Sequence, residues 1–113
     1  MLRNMVSKAW ESHHCQRCRG VHWEHCSVEK LEAIAECVGG KGLSHICHLL
    51  AQDYSHWHRG MPDLVLWRDD GSARLVEVKG PRDRLSDTQE EWLRELTDAG
   101  IDAEVLQVQE KPV

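Results

Sequence analysis

The sequence of 113 residues contains no phenylalanine, one tyrosine and three prolines, so its aromatic packing rests mainly on five tryptophans. No apolar run approaches the roughly 20 residues that a membrane-spanning helix requires, and the N-terminal part lacks the apolar segment of a signal peptide. An excess of positive charge is also missing, because the formal net charge is −5. These absences argue against an integral membrane protein, a secreted protein and a chain drawn to nucleic acid by its overall charge.

Charge and cysteine are nevertheless informative. Residues 56–84 hold six Lys or Arg against five Asp or Glu, so this stretch is locally positive while the remainder is acidic. Five cysteines, an odd number in a chain with no export signal, predict reduced thiols and an intracellular protein. With 41% hydrophobic and 29% charged residues, the chain has the composition of one soluble globular domain.

The pattern of apolar residues predicts an α/β fold with a mixed sheet. Ser27 suits the cap of a first helix, and Ser86 to Gln89 reads as a capping box that opens a later one. A hairpin, a crossover helix and a further strand make a mixed sheet with helices packed on it. The predicted order is helix, helix, strand, strand, helix, strand, over residues 27–38, 43–57, 64–67, 75–78, 86–99 and 103–108.

The N-terminal segment differs from the rest. Residues 1–26 are polar, rich in His and Cys and weakly patterned, and we expect mainly loop there, with a short strand at residues 21–23. We therefore divide the chain into this segment and a domain over residues 27–113.

Three charged residues at the predicted hairpin are the candidate catalytic residues. Glu77 and Lys79 lie two apart on the second strand and therefore share one face. Asp63 directly precedes the first strand, and the type of turn decides which residue faces it. The loop at residues 69–71 (DDG) suits a three-residue turn with Gly71 in the left-handed region.

This turn pairs Arg68 with Ser72 and places Asp63 opposite Glu77, with their side-chain roots about 5 Å apart. Two carboxylates at that distance repel unless positive charge lies between them. Together with a backbone carbonyl they form a hard oxygen site that suits Mg²⁺ or Mn²⁺. The arrangement predicts phosphodiester hydrolysis, with Lys79 beside the ion; an ordinary hairpin with exposed charges is the alternative.

These residues together resemble the VRR-NUC domain of the PD-(D/E)xK nuclease superfamily. The resemblance is carried by residues 60–67 (GMPDLVLW), residues 75–86 (LVEVKGPRDRLS) and Gln89, and it is strong over residues 38–108. In detail the chain looks most like the C-terminal nuclease domain of the Fanconi-anaemia-associated nuclease and its bacterial relatives. The resemblance implies a restriction-endonuclease-like fold and a metal-dependent nuclease that cuts branched or 5′-flap DNA in interstrand-crosslink repair.

The resemblance also implies roles for individual residues. Asp63 and Glu77 would bind Mg²⁺ or Mn²⁺ with the Val78 carbonyl as a third ligand, and Lys79 would be the catalytic lysine. Gln89 would support the site, although its side chain can equally serve the capping box alone. Three flanking residues are candidates for contacts to DNA phosphates: Arg59, Arg82 and Arg84.

One feature of the superfamily is not matched. A further acidic residue usually comes from a helix upstream of the hairpin, and the candidates here are Glu24, Glu29, Glu32 and Glu36, of which Glu36 or Glu32 could point inward. A solvated helix face is the alternative for each. We therefore expect a C-terminal part of a larger nuclease or a reduced relative, and the alternative function is a DNA-binding module with an incomplete site.

The resemblance further implies a monomer, with a dimer as the alternative. The protein would act in the cytoplasm or nucleoid of a bacterium, or in the nucleus of a eukaryote. No membrane is expected among its partners.

A second metal site is conceivable near the N-terminus. Cys15 and Cys18 have the spacing of half a zinc site, and His22 and Cys26 follow, but each gap misses the usual zinc-knuckle spacing by one residue. A zinc-stabilised interaction domain is the third interpretation.

Overall fold

The computed structural model describes residues 1–14, 16 and 23–111. Its helices are α1 (Leu2–His13), α2 (Val28–Val38), α3 (Gly40–Gln52), α4 (Tyr54–Trp57) and α5 (Asp87–Asp98). Its strands are β1 (Leu64–Trp67), β2 (Ala73–Lys79) and β3 (Asp102–Gln107). Within the described residues, no helix is both long and apolar enough to span a membrane.

The three strands form one mixed sheet in the order β1-β2-β3. β1 and β2 are an antiparallel hairpin, and β3 runs parallel to β2 after the crossover through α5. The predicted mixed sheet and its connections are therefore confirmed.

The core lies where helices α3 and α5 pack on one face of this sheet. Because strand side chains alternate, Leu75, Glu77 and Lys79 share that face. Trp92 of α5 is fully buried, and its indole N–H donates to the Trp57 carbonyl at 2.5 Å. The core cluster consists of Ile46, Leu49, Leu75, Trp92, Leu96 and Ile101. Glu77 and Lys79 thus lie on the same face of β2 as the core residue Leu75, toward the C-terminal end of the strand.

The expectation of loop over residues 1–26 is wrong for α1. Helical spacing of its apolar residues is the local signal for this helix: Leu2, Met5, Val6, Ala9 and Trp10. The helix packs against α2 through polar contacts, with Arg3 Nε 2.5 Å from Glu36 and the Ser7 hydroxyl bonded to Glu32. Of the predicted strand at residues 21–23, only Trp23 lies in the described part of the chain, where a 3-10 turn begins.

The predicted helix over residues 43–57 is in fact two helices. The first begins earlier, at Gly40, and ends at Gln52. Asp53 interrupts the helix with φ −156° and ψ 85°, and its carboxylate accepts a bond from the His56 N–H at 3.2 Å. Asp53 is therefore the N-cap of α4, a role that aspartate commonly fills.

Candidate active site

The turn of the hairpin has the predicted form. The Arg68 N–H donates to the Ser72 carbonyl at 3.0 Å, and Gly71 has a φ of +91°. In the ladder that follows, Leu64 pairs with Val76. Extending the same register by one residue sets Asp63 opposite Glu77, as the loop type predicted.

The Asp63 side chain is held against β2 by a hydrogen bond from the backbone of that strand. Its carboxylate Oδ2 accepts from the Val78 N–H at 3.0 Å. The paired ladder ends at Leu64 and Val76, and continuing its register by two residues would set Val78 opposite Pro62. Proline has no N–H, so it could not donate a ladder bond to the Val78 carbonyl. Sequence reasoning missed the bond to Asp63, and Pro62 beside it is the signal that could have revealed it.

Glu77 is the buried carboxylate of the site, and only 3% of the residue is exposed. Its Oε1 accepts from the Gln89 side-chain amide at 2.8 Å and lies 3.6 Å from the Lys79 ammonium. Its Oε2 is buried and has no hydrogen-bond partner among the described residues. Burial and the neighbouring Asp63 carboxylate raise the pKa of Glu77, whereas the Lys79 charge opposes that rise.

The unpartnered oxygen tests whether a divalent cation fits here. A buried acceptor without a donor is rare, because leaving it unsatisfied costs free energy. A cation would bind this oxygen and relieve the repulsion between the two carboxylates. Two carboxylates and the Val78 carbonyl are oxygen ligands of the kind that Mg²⁺ and Mn²⁺ prefer. The residues present therefore fit such an ion.

Lys79 is fixed beside this site by the sheet. Its side chain is 14% exposed, and its carbonyl accepts from the Val108 N–H at 2.8 Å. The ammonium thus lies on the same side of β2 as the Glu77 carboxylate, as the alternation of the strand predicted.

Gln89 combines the two roles that the sequence left as alternatives. Its Oε1 accepts from the Ser86 N–H at 2.9 Å while Ser86 Oγ accepts from the Gln89 N–H, which completes a capping box. Its Nε2 donates to Glu77. Because the cap occupies the amide oxygen, the amide nitrogen is the end that faces the site.

Glu36 occupies a different environment. It forms an ion pair with Arg3 of α1, and about half of its side chain is exposed. Glu32 is bonded to Ser7 and Arg3 in the same region. Within the described part of the chain, no three His, Cys, Asp or Glu side chains converge on a common point. A third acidic ligand is therefore not found among these residues.

The candidate DNA-binding arginines are all exposed. Arg59 precedes the segment that carries Asp63, and Arg82 and Arg84 lie in the loop after β2. That loop is shaped by Asp83, whose carboxylate accepts from the Gly80 N–H at 2.9 Å. An open groove of about 920 Å³ beside the loop is lined by residues that include Arg82.

The proposed zinc ligands cannot be compared with the structure as a group. Cys15, Cys18 and His22 lie outside the described residues. Cys26 is described as a free, half-buried cysteine.

Comparisons with known proteins agree with this geometry. The model of the VRR-NUC domain matches residues 1–110, a range that includes the N-terminal segment. The Fanconi-associated nuclease 1 homologue of Oryza sativa subsp. japonica is 48% identical over 113 residues, covering 96% of this chain and 12% of the rice protein. The Arabidopsis thaliana homologue is 43% identical, with 96% and 13% covered. The mouse Fanconi-associated nuclease 1 is 41% identical, with 95% and 11% covered.

A solved structure shows the same fold. The crystal structure of paFAN1 bound to 5′-flap DNA superposes with a TM-score of 0.85 and 26% identity, covering 98% of this chain and 21% of that chain. The predicted restriction-endonuclease-like fold is confirmed by this match. The chain spans about an eighth of the length of the curated relatives, so what they do as whole proteins does not transfer to it directly.

Proposed function

The chain belongs to the VRR-NUC family, and from this premise we propose that it is a divalent-metal-dependent nuclease that hydrolyses phosphodiesters in branched or 5′-flap DNA. The family relationship supports metal dependence in general, and we propose Mg²⁺ or Mn²⁺ as the ion. The observation that carries the proposal is the buried Oε2 of Glu77, which lies beside the Asp63 carboxylate and has no hydrogen-bond partner in the described part of the chain. In a purely structural ion pair, a buried carboxylate oxygen is in most cases hydrogen-bonded.

The proposed ligands are Asp63, Glu77 and the Val78 carbonyl. When bound there, a divalent cation supplies Lewis acidity toward a phosphodiester and lowers the pKa of a water molecule. Asp63 is held in place by the Val78 N–H, and Glu77 by the Gln89 amide. The protein thus fixes its ligands before the substrate arrives, which reduces reorganisation during the reaction.

Lys79 is the proposed catalytic lysine. Its ammonium lies 3.6 Å from Glu77 and is mostly screened from water by the surrounding chain. A positive charge in so sheltered a position interacts strongly with the negative charge that develops on a phosphate. The same ammonium can also orient the attacking water.

The DNA substrate is proposed from the relatives and from the exposed arginines. Relatives are named Fanconi-associated nuclease 1, and the matched crystal structure holds 5′-flap DNA. We propose that Arg59, Arg82 and Arg84 contact DNA phosphates and that the chain acts in interstrand-crosslink repair. The same proposal includes a nuclear location in a eukaryote or a cytoplasmic or nucleoid location in a bacterium, a monomeric state, and the division of the chain at residue 27.

The decisive experiment is a cleavage assay on 5′-flap DNA with Mn²⁺, comparing the wild-type chain with Asp63→Ala. We expect the wild type to cut and the variant to lose at least about 100-fold in rate, because one of two charged ligands is lost. Binding of the same DNA, measured by fluorescence anisotropy in the presence of EDTA, should change little.

A matched control is Asp69→Ala, which removes an exposed aspartate from the turn at the other end of the same hairpin. This variant should cut like the wild type. Equal cleavage by Asp63→Ala and the wild type would refute the assignment of the metal site.

A second function is favoured by one observation, the lack of a third converging acidic side chain among the described residues. In that case the chain is a DNA-binding module with an incomplete metal site. It would bind flap DNA without cutting it at any Mn²⁺ concentration, and Asp63→Ala would then be indistinguishable from the wild type in both assays.

A further inference from the structure

Gly60 lies where the segment that carries Asp63 meets the first turn of α5. The residue is buried, and a Cβ placed on it would lie 2.7 Å from Thr88 Cγ2. The same atom would lie 2.8 Å and 2.9 Å from the carbonyl carbon and oxygen of Thr88. A side chain can rotate away from such a contact, but backbone atoms in a packed helix cannot. Any side chain at Gly60 therefore pushes the segment and the helix apart.

The same turn of α5 holds the other half of the site. Thr88 directly precedes Gln89, whose amide donates to Glu77 at 2.8 Å. The segment that carries Asp63 therefore packs on Thr88, and Glu77 is bound by the next residue of the same helical turn, Gln89. The capping box makes this turn a well-ordered support.

The link between Gly60 and Asp63 is short and stiff. It consists of Met61 and Pro62. The proline ring fixes its own φ, and the residue before a proline is restricted to extended conformations. A displacement at Gly60 is therefore passed on to Asp63 rather than absorbed between them.

We propose that Gly60 is a positioning residue for the metal site: its lack of a side chain lets the Asp63 segment seat against the Thr88 backbone and so sets the separation of Asp63 and Glu77. The inference rests on the proposed function, because it assumes that these two carboxylates bind a divalent cation. It assigns to Gly60 a geometric role and no contact with the ion or the substrate.

The test is the Mn²⁺ affinity of the full chain, measured by calorimetry for the wild type and for Gly60→Ala. Groups that orient metal ligands typically contribute about 10- to 100-fold to affinity, and we expect a loss in that range. With 5′-flap DNA, the variant should need correspondingly more Mn²⁺ for half-maximal cleavage.

Gly42→Ala is the matched control. A Cβ on Gly42 would lie 2.7 Å and 2.9 Å from side-chain atoms of Ile101, so this variant also crowds the core. Gly42 lies on α3 and meets a core side chain instead of the turn that supports Glu77. Both variants should lower the melting temperature, but the Mn²⁺ affinity of Gly42→Ala should stay within about twofold of the wild type.

The outcomes separate the inference from the proposed function. If the wild type binds no Mn²⁺, the proposed metal site is refuted before any variant is compared, and the inference with it. If the wild type binds Mn²⁺ and Gly60→Ala binds it equally well, or if Gly42→Ala loses as much affinity as Gly60→Ala, only the inference is overturned. Should Gly60→Ala not fold, Thr88→Ile crowds the same contact from the helix side and must show the same loss of affinity.

Discussion

At the residue scale, Glu77 is a buried carboxylate whose protonation is coupled to folding. Its pKa is raised by burial first and by the Asp63 carboxylate second. The folded state therefore binds the Glu77 proton more tightly than the unfolded state does. As the pH rises from the ordinary value of 4.5 through the raised pKa, the folded state loses stability relative to the unfolded state. This loss applies to the metal-free protein.

Glu77→Gln removes this pH dependence, because the amide carries no charge. In the presence of EDTA we expect the variant to be more stable than the wild type above pH 7, by on the order of 1–3 kcal/mol, because it removes a buried charge that the Asp63 carboxylate repels. The difference should shrink toward pH 4. Urea unfolding followed by tryptophan fluorescence at several pH values measures it.

Glu90→Gln is the control for this experiment, because Glu90 is an exposed glutamate of α5. The free energy of unfolding of Glu90→Gln should stay close to that of the wild type. The difference should not grow with pH as it does for Glu77→Gln. A variant Glu77→Gln that is less stable than the wild type at pH 8 without metal would contradict the account of Glu77.

At the scale of elements, the first turn of α5 both caps the helix and supplies the Gln89 amide that donates to Glu77. Gln89→Glu separates the two roles, since glutamate also completes a capping box with Ser86. The variant removes the amide donor to Glu77 and puts a third carboxylate beside it. Without metal, we expect a loss of stability at pH 8 that is largely reversed at pH 5, where carboxylates take up protons. Millimolar Mn²⁺ should raise the melting temperature of this variant more than that of the wild type.

Gln89→Leu is the matching control, because it loses both the cap bond and the donor. Its destabilisation, on the order of 1–3 kcal/mol for a buried group left without its donor, should grow less between pH 5 and pH 8 than that of Gln89→Glu, because no third carboxylate is added. Thermal melts at pH 5 and pH 8, with and without Mn²⁺, distinguish the two variants. Identical behaviour of both would show that a third carboxylate at position 89 adds no repulsion to Glu77.

The elements that the sequence predicted well are those whose geometry is determined locally. The turn at residues 69–71 fixes the register of the hairpin, since Gly71 takes the left-handed conformation at a set position. That register alone brings Asp63 opposite Glu77. Ser86 and Gln89 likewise predicted the start of α5, because a capping box is a local pattern.

What the sequence did not predict depends on contacts between distant segments. The helix α1 is joined to α2 by Arg3 and Ser7, which reach acidic residues about 25 to 33 positions away. The contact between Gly60 and Thr88 is of the same kind, because only the folded chain shows that the two backbones meet. Local sequence pattern predicts neither of these contacts, although the spacing of apolar residues in α1 does indicate the helix itself.

At the scale of the whole molecule, the proposed function requires an acidic chain to bind an acidic polymer. The net charge is −5, so long-range attraction to DNA is absent and binding must come from local contacts. Exposed arginines differ in how available they are for this purpose. Arg74 is already engaged by Asp102 at 2.8 Å and by Glu104 at 3.4 Å on β3. The loop after β2, beside Lys79, carries Arg82 and Arg84 in exposed positions.

These positions predict the salt dependence of DNA binding. Each phosphate contact that is lost makes the slope of log K against log salt shallower by about 0.9 for duplex DNA. The double variant Arg82→Ala/Arg84→Ala should therefore bind 5′-flap DNA more weakly, with a slope shallower by about 1.8, in anisotropy titrations with EDTA from 50 to about 200 mM salt. Arg74→Ala should keep the wild-type slope, since its guanidinium is neutralised within the sheet. An unchanged slope in the double variant would mean that the DNA approaches the metal site from another side, and Arg59 would then be the remaining candidate of the three.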